Sequence, residues 1–166
     1  MVNVTPCEIG NYGKFRQFFL KCVEVGNIDA VYYECLHRST SLGVEVGIKF
    51  LEPNVPTHGL STLVVGIFYV CIGEDMKASH VFQQFAVNHV DLRSDAIFEM
   101  GDELESRLSS FHARYLNSHD ATFKFPDNDV IKTPRCLYGH DYMVDFEGIC
   151  KNCRLFWICF NISHML

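Results

Sequence analysis

The sequence has no apolar run of membrane-spanning length and no secretory leader at its start. Its longest apolar stretch runs from Leu60 to Gly73 and is followed at once by Glu74 and Asp75. A helix that crosses a bilayer needs roughly 20 apolar residues, more than this stretch supplies. The first six residues, MVNVTP, lack the basic and apolar regions of a signal peptide. We therefore expect an intracellular protein of the cytoplasm or nucleus that has no membrane partner.

The sequence also has little positive charge. It carries 20 acidic and 14 basic residues, a formal net charge of −6. An acidic surface repels the phosphate backbone, so a nucleic-acid partner is not expected. The apolar fraction of 48% is that of a folded chain. A length of 166 residues suits one compact domain with a small appendage.

No motif of a catalytic site is present in the sequence. It contains no phosphate-binding glycine loop, no G-x-S-x-G nucleophile turn and no H-E-x-x-H helix. Its eight histidines are scattered, and none has a spacing that forces it against a candidate nucleophile. We therefore predict that the protein is not an enzyme.

What the sequence does contain is a series of apolar stripes at helical spacing. The first stripe is Phe15, Phe18, Phe19, Cys22 and Val23, and the second is Ile28, Val31, Tyr32, Cys35 and Leu36. Each stripe predicts a helix with one apolar face. Since only Gly26 and Asn27 separate the two helices, they must fold back as an antiparallel hairpin.

Further stripes predict four more helices and an all-α fold. The expected ranges are about 42–51, 60–72, 81–86 and 97–111, with Thr57 as the N-cap of the second of these. The chain then divides into an N-terminal tail (1–12), a helical region (13–112), a linker (113–134) and a separate Cys/His-rich tail (135–166).

A repeated pattern points to a family. Residues 26–32 read GNIDAVY, which fits G-[NH]-x-x-A-x-Y, and a degraded second copy begins at Thr57, 57 − 26 = 31 residues later. This offset is close to the period of tetratricopeptide-type helical hairpins. With FFLKC at 18–22 and FYVCIG at 68–73, the region from Phe15 to Phe111 resembles plant F-box proteins with a Sel-like, tetratricopeptide-like helical region and a Cys-rich tail.

The resemblance implies antiparallel helical hairpins that bind a protein partner, with substrate recognition in ubiquitin ligation as the narrower function. Components of a ubiquitin ligase would then be among the partners. The printed sequence has no F-box ahead of its first helix, so the resemblance implies a truncated or divergent member of the family.

The tail carries the spacing of a metal site. Cys136-x3-His140-x9-Cys150-x2-Cys153 offers four ligands of the types that hold structural zinc in a tetrahedron. The resemblance favours the three cysteines and leaves the fourth ligand open, for which we predict His140, with Cys159 as the alternative. Four protein ligands leave no open position for a substrate, so the expected cofactor is structural zinc. The alternative without a metal is a group of reduced, partly buried thiols.

These observations predict a non-enzymatic protein-protein interaction module with a zinc-binding tail. Two other functions stay open. One is a small metal-dependent enzyme that uses the Cys/His tail, and the other is a decayed paralogue that has lost its role.

Overall fold

The structure is a computed structural model that describes residues 5–138 and 150–166. In these residues every regular element is helical, which confirms the all-α class. The α-helices are, in order, α1 (Pro6–Ile9), α2 (Arg16–Glu24), α3 (Ile28–Leu42), α4 (Val44–Leu51), α5 (Gly59–Cys71), α6 (Asp75–Asn88), α7 (Asp95–Ser110) and α8 (Arg154–Met165). Single 3-10 turns span Glu52–Asn54 and Arg135–Tyr138. Whether the helices form a tetratricopeptide-like or Sel-like repeat stays a prediction.

Helices α2 and α3 pack against each other across the short turn that the sequence predicts. Gly26 has a φ of 77°, a left-handed conformation that residues with a Cβ rarely adopt. The Asn27 side chain then accepts a hydrogen bond of 2.9 Å from the N–H of Ala30 and caps α3. The turn therefore follows from the residue types at these positions.

Helix α5 lies at the centre of the core. Every residue from Ser61 to Cys71 is buried, and α4, α6 and α8 all pack against this helix. A Cβ at Gly66 would lie 2.5 Å from the Phe82 ring, so glycine allows α6 to approach closely. The nearly continuous apolar sequence of α5 is explained by neighbours on several sides.

The N-cap of α5 differs from the sequence-based expectation. The prediction of Thr57 is wrong, since the cap is His58, whose Nδ1 accepts from the N–H of Ser61 at 3.3 Å. Thr57 instead donates its hydroxyl to the Asn54 carbonyl at 3.1 Å.

The segment expected as a linker packs against the core. Thr122 donates its hydroxyl to the Cys71 carbonyl at 2.6 Å, and the N–H of Lys124 donates to the Val70 carbonyl at 3.0 Å. Carbonyl groups at the C-terminal end of α5 have no partner within the helix, and these bonds satisfy them. Ile131 is buried in the same core.

The C-terminal helix also belongs to the main core and does not form the separate unit that the sequence suggested. Helix α8 packs against α5 and α7, and Ile158, Cys159 and Ile162 lie in the same cluster of buried apolar side chains as α5. The physical reason is the apolar surface of α5, which needs α8 as well as α4 and α6 to cover it.

Helix α2 is held to α3 by charges as well as by apolar contacts. The buried carboxylate of Glu34 accepts hydrogen bonds from both terminal nitrogens of Arg16, at 2.5 and 2.8 Å, and from Nε of Arg38 at 2.7 Å. Arg16 also donates to the carbonyl of Ile9 in α1 at 3.0 Å. The pattern of apolar residues gave no sign of this buried ion cluster, because Glu34 is charged.

Within residues 5–138 and 150–166, no helix combines bilayer-spanning length with a sufficiently apolar sequence.

Candidate metal centre

Two separate segments supply the cysteines of the candidate site. Cys136 lies in the 3-10 turn Arg135–Tyr138, whereas Cys150 and Cys153 lie in the turn that begins α8. In that turn the N–H of Cys153 donates to the Cys150 carbonyl at 3.0 Å, and the N–H of Trp157 donates to the Cys153 carbonyl at 3.0 Å. The C-x-x-C pair therefore lies in the hydrogen-bonded turn that immediately precedes α8, with Cys153 as the N-cap residue of the helix.

The three sulfur atoms form one compact group. All Sγ atoms of Cys136, Cys150 and Cys153 lie within 4.8 Å of one another, and the Cys136 and Cys150 sulfurs are 3.9 Å apart. With Zn–S bonds of about 2.3 Å, two thiolates of a tetrahedral site are separated by about 3.8 Å. A disulfide would need about 2.05 Å, so the three cysteines are reduced and form no disulfide. The group has the size that a metal ion requires.

The burial of the three thiols is unequal. Cys153 is fully buried, whereas Cys136 and Cys150 are half-buried. Burial raises the pKa of the Cys153 thiol, and hydrogen bonds with the other two thiols raise it further. A bound cation reverses this effect, because a metal stabilises the thiolate that it coordinates.

Basic residues beside the cysteines connect the site to α7. Arg154 is buried and donates from Nη1 to the Ser94 carbonyl and to Asp95, both at 3.2 Å. Lys151 lies 3.6 Å from the same Asp95 carboxylate. Arg154 and Lys151 therefore both contact the N-terminus of α7.

The structure brings together three of the predicted ligands. His140 lies outside the described residues. Among the described residues the group consists of Cys136, Cys150 and Cys153, so Cys159 is not part of it. Cys159 is six residues along α8 from Cys153, about 9 Å at a rise of 1.5 Å per residue. It is fully buried in the core, and this burial raises the pKa of its thiol.

A second polar cluster lies at the start of α5 and was not expected from the sequence. His58 Nδ1 is 2.7 Å from the hydroxyl oxygen of Ser61, and His58 Nε2 is 4.0 Å from the carboxylate of Asp29. The order of these groups is that of an acid–base–nucleophile triad. Ser61 is fully buried, however, and the His58 nitrogen also accepts from the Ser61 N–H. The geometry is that of a helix cap with an inaccessible hydroxyl.

No protein-family model matches the chain, and no curated protein and no solved structure is significantly similar to it. The resemblance to F-box proteins therefore depends only on the residues quoted for it and stays a prediction.

Proposed function

We propose that this chain is a non-enzymatic protein-interaction module whose partner binds to helix α2. The observation that supports this proposal is the exposure of three apolar side chains on and beside α2, Phe15, Phe18 and Val25, whereas Phe19 packs against the core. None of the residues Arg16–Glu24 is buried, and Phe18 is 70% exposed. Phe15 and Val25, at helical spacing from Phe18, are exposed as well. Exposed apolar patches of this kind are typical of protein interfaces.

The net charge of the chain favours a protein partner over a membrane, and the lysines beside the stripe indicate a partner with acidic side chains. Lys14 and Lys21 fall along one edge of the stripe at helical spacing, and Lys14 Nζ lies 4.8 Å from the centre of the Phe15 ring. The chain as a whole carries a net charge of −6, which opposes binding to an anionic membrane surface. We therefore propose a partner segment with apolar side chains flanked by acidic ones.

The test replaces one exposed apolar residue of α2 and one elsewhere. Phe18→Asp removes an apolar side chain from the stripe, and Val87→Asp is the matched control on α6, where Val87 is 84% exposed. Both variants should keep the circular dichroism spectrum of the wild type. We expect proteins that co-purify with the wild type and with Val87→Asp to be lost with Phe18→Asp. Equal recovery with both variants, or hydrolase or transferase turnover by the pure protein, would contradict the proposal.

We also propose that Cys136, Cys150 and Cys153 bind a structural zinc ion, with His140 as the fourth ligand. The compact group of three thiols supports a thiolate-rich site, and zinc sites of this composition are structural when four protein ligands close the shell. The ion would tie the turn around Cys136 to the start of α8.

Metal content measured by mass spectrometry under native conditions tests this assignment. We expect bound zinc in the wild type and none in a Cys150→Ser, Cys153→Ser double variant. Equal metal in both proteins would remove the assignment. Cobalt substitution then distinguishes the structural site from the alternative, a small metal-dependent enzyme. A structural site should give the absorption spectrum of a closed tetrahedral site, whereas a catalytic site with an exchangeable water should not.

The resemblance supports a narrower proposal, in which the module recognises substrates for a ubiquitin ligase inside the cell. We expect the wild-type chain to co-purify with ligase subunits only when an F-box is joined to it. If the fusion protein does not co-purify with ligase subunits, the ubiquitin-ligase proposal is wrong, whereas the general proposal of a protein-interaction module is unaffected.

A further inference from the structure

We propose that Cys136 and Cys150 are a site of reversible oxidation, at which a peroxide produces a disulfide and thereby releases the metal ion. The release step rests on the zinc site proposed above, whereas formation of the disulfide does not. Both thiols belong to the same group, and their sulfurs are 3.9 Å apart. Because a disulfide has an S–S distance of about 2.05 Å, the two sulfurs need to approach by only about 1.9 Å.

Access to solvent selects these two thiols from the group of three. Cys136 and Cys150 are half-buried, so a small oxidant can reach them, whereas Cys153 is fully buried beneath them. Cys71 and Cys159 are likewise buried in the core. Susceptibility to oxidation depends on the exposure of the thiol as well as on its thiolate character. Within the group of three thiols, the half-buried pair Cys136 and Cys150 is therefore the pair that a peroxide oxidises.

The backbone also favours a disulfide across the two segments over one within the C-x-x-C pair. Cys153 is held at the start of α8 by the hydrogen bonds that join it to Cys150 and Trp157. Cys136 lies in a separate single-turn helix, fourteen positions before Cys150. Because Cys136 lies outside α8, approach of its sulfur to Cys150 does not require displacement of α8, whose Ile158 and Ile162 are buried in the core.

The reaction needs one peroxide for each pair of thiols. One thiolate attacks a peroxide oxygen, so that an S–O bond forms, the O–O bond breaks and hydroxide leaves and takes up a proton. The second thiolate attacks the resulting sulfenic sulfur, so that the S–S bond forms and the S–O bond breaks with loss of a second water. Two thiols are oxidised by two electrons and the peroxide is reduced to two waters. A metal ion bound at this site would lose two thiolate ligands and would keep only Cys153 of the three.

The test uses the full chain with Cys7→Ser and Cys22→Ser, since these are the other thiols outside the buried core. Reduced protein, metal-free or loaded with zinc, is treated with an equimolar amount of hydrogen peroxide, alkylated and digested for mass spectrometry. We expect a Cys136–Cys150 cross-link in both forms, and release of an equimolar amount of zinc from the loaded form. Reduction by dithiothreitol should restore zinc binding.

Two variants make the result specific. Cys153→Ser should still form the cross-link, whereas Cys136→Ser should not. A cross-link between Cys150 and Cys153, irreversible sulfinic acid, or no oxidation would overturn the proposal. A cross-link formed while zinc stays bound would overturn the release step. If the purified protein binds no zinc at all, the metal assignment fails, and the metal-free sample alone still decides whether Cys136 and Cys150 form the disulfide.

Discussion

The ion cluster at Glu34 gives the sharpest prediction about stability. In Glu34→Gln the side chain keeps its shape but loses its charge, and the amide group presents a donor to the donors of Arg16 and Arg38. The wild-type carboxylate accepts three hydrogen bonds and is fully buried. Hydrogen bonds to a charged group contribute about 1.5–3 kcal/mol each. Breaking a buried ion pair from one side costs about 3–5 kcal/mol.

The lower end of this range applies here, because the arginines are less buried than Glu34. The side chains of Arg16 and Arg38 are 15% and 35% exposed, so part of their charge can be solvated again in the variant. We expect the free energy of unfolding to fall by about 3 kcal/mol, which for a chain of this length lowers Tm by about 6–12 °C.

The same cluster predicts that the free energy of unfolding depends on pH. Burial by itself raises the pKa of Glu34, but the hydrogen bonds and charges of Arg16 and Arg38 outweigh it and hold the pKa below its ordinary value of 4.5. The folded protein therefore binds this proton less readily than the unfolded chain. The stabilisation is complete above about pH 4.5 and is lost as the pH falls below that value. Glu34→Gln should remove this part of the pH dependence.

Urea unfolding followed by circular dichroism at pH 7 and at pH 4 measures both effects. Glu24→Gln, on the exposed surface of α2, is the control and should change stability by less than about 0.5 kcal/mol. A loss below about 1 kcal/mol for Glu34→Gln at pH 7 would refute the reasoning, because the buried carboxylate would then contribute no more than a surface pair.

Three further changes test other parts of the structure. Gly66→Ala places a methyl group 2.5 Å from the Phe82 ring and should cost about 1–3 kcal/mol in urea unfolding, and a neutral result would show that α5 and α6 are not in close contact. His58→Ala removes the N-cap acceptor for Ser61 and should cost about 1 kcal/mol. Burial lowers the pKa of His58, so the free energy of unfolding of the wild type should decline as the pH drops below about 6.5. An equal decline in His58→Ala would contradict this explanation. A chelator should lower Tm of the wild type but not of Cys153→Ser, and an unchanged wild type would argue against bound metal.

The spacing of apolar residues predicted α2 to α5 and α7, but it gave only residues 81–86 of α6 and missed α1, which lies in the expected N-terminal tail. It placed these helices and the turn at Gly26, because helical periodicity is a local property of the sequence. The break between α3 and α4 is also local: Gly43 has a φ of 98°, so α4 begins at Val44 instead of near Leu42.

The sequence of α8 carries the same helical spacing. Leu155, Ile158, Cys159 and Ile162 fall at i, i+3, i+4 and i+7, the spacing of an apolar helical face. The cysteine spacing in the same segment instead predicts a small metal-bound tail. Cys159 was accordingly considered a possible ligand, whereas in the structure it belongs to the buried face of this helix.

The sequence by itself determined helices α2 to α5, α7 and the turn at Gly26, because each depends on residues close together in the chain. Only the tertiary structure decided that Glu34 is buried between Arg16 and Arg38, that Cys159 lies apart from the other three cysteines, and that Phe15, Phe18 and Val25 stay exposed. Periodicity shows which residues share a face of a helix. Which faces are covered depends on how distant segments pack. In this chain α4, α6 and α8 pack around α5, whereas the side chain of Phe18 on α2 stays exposed.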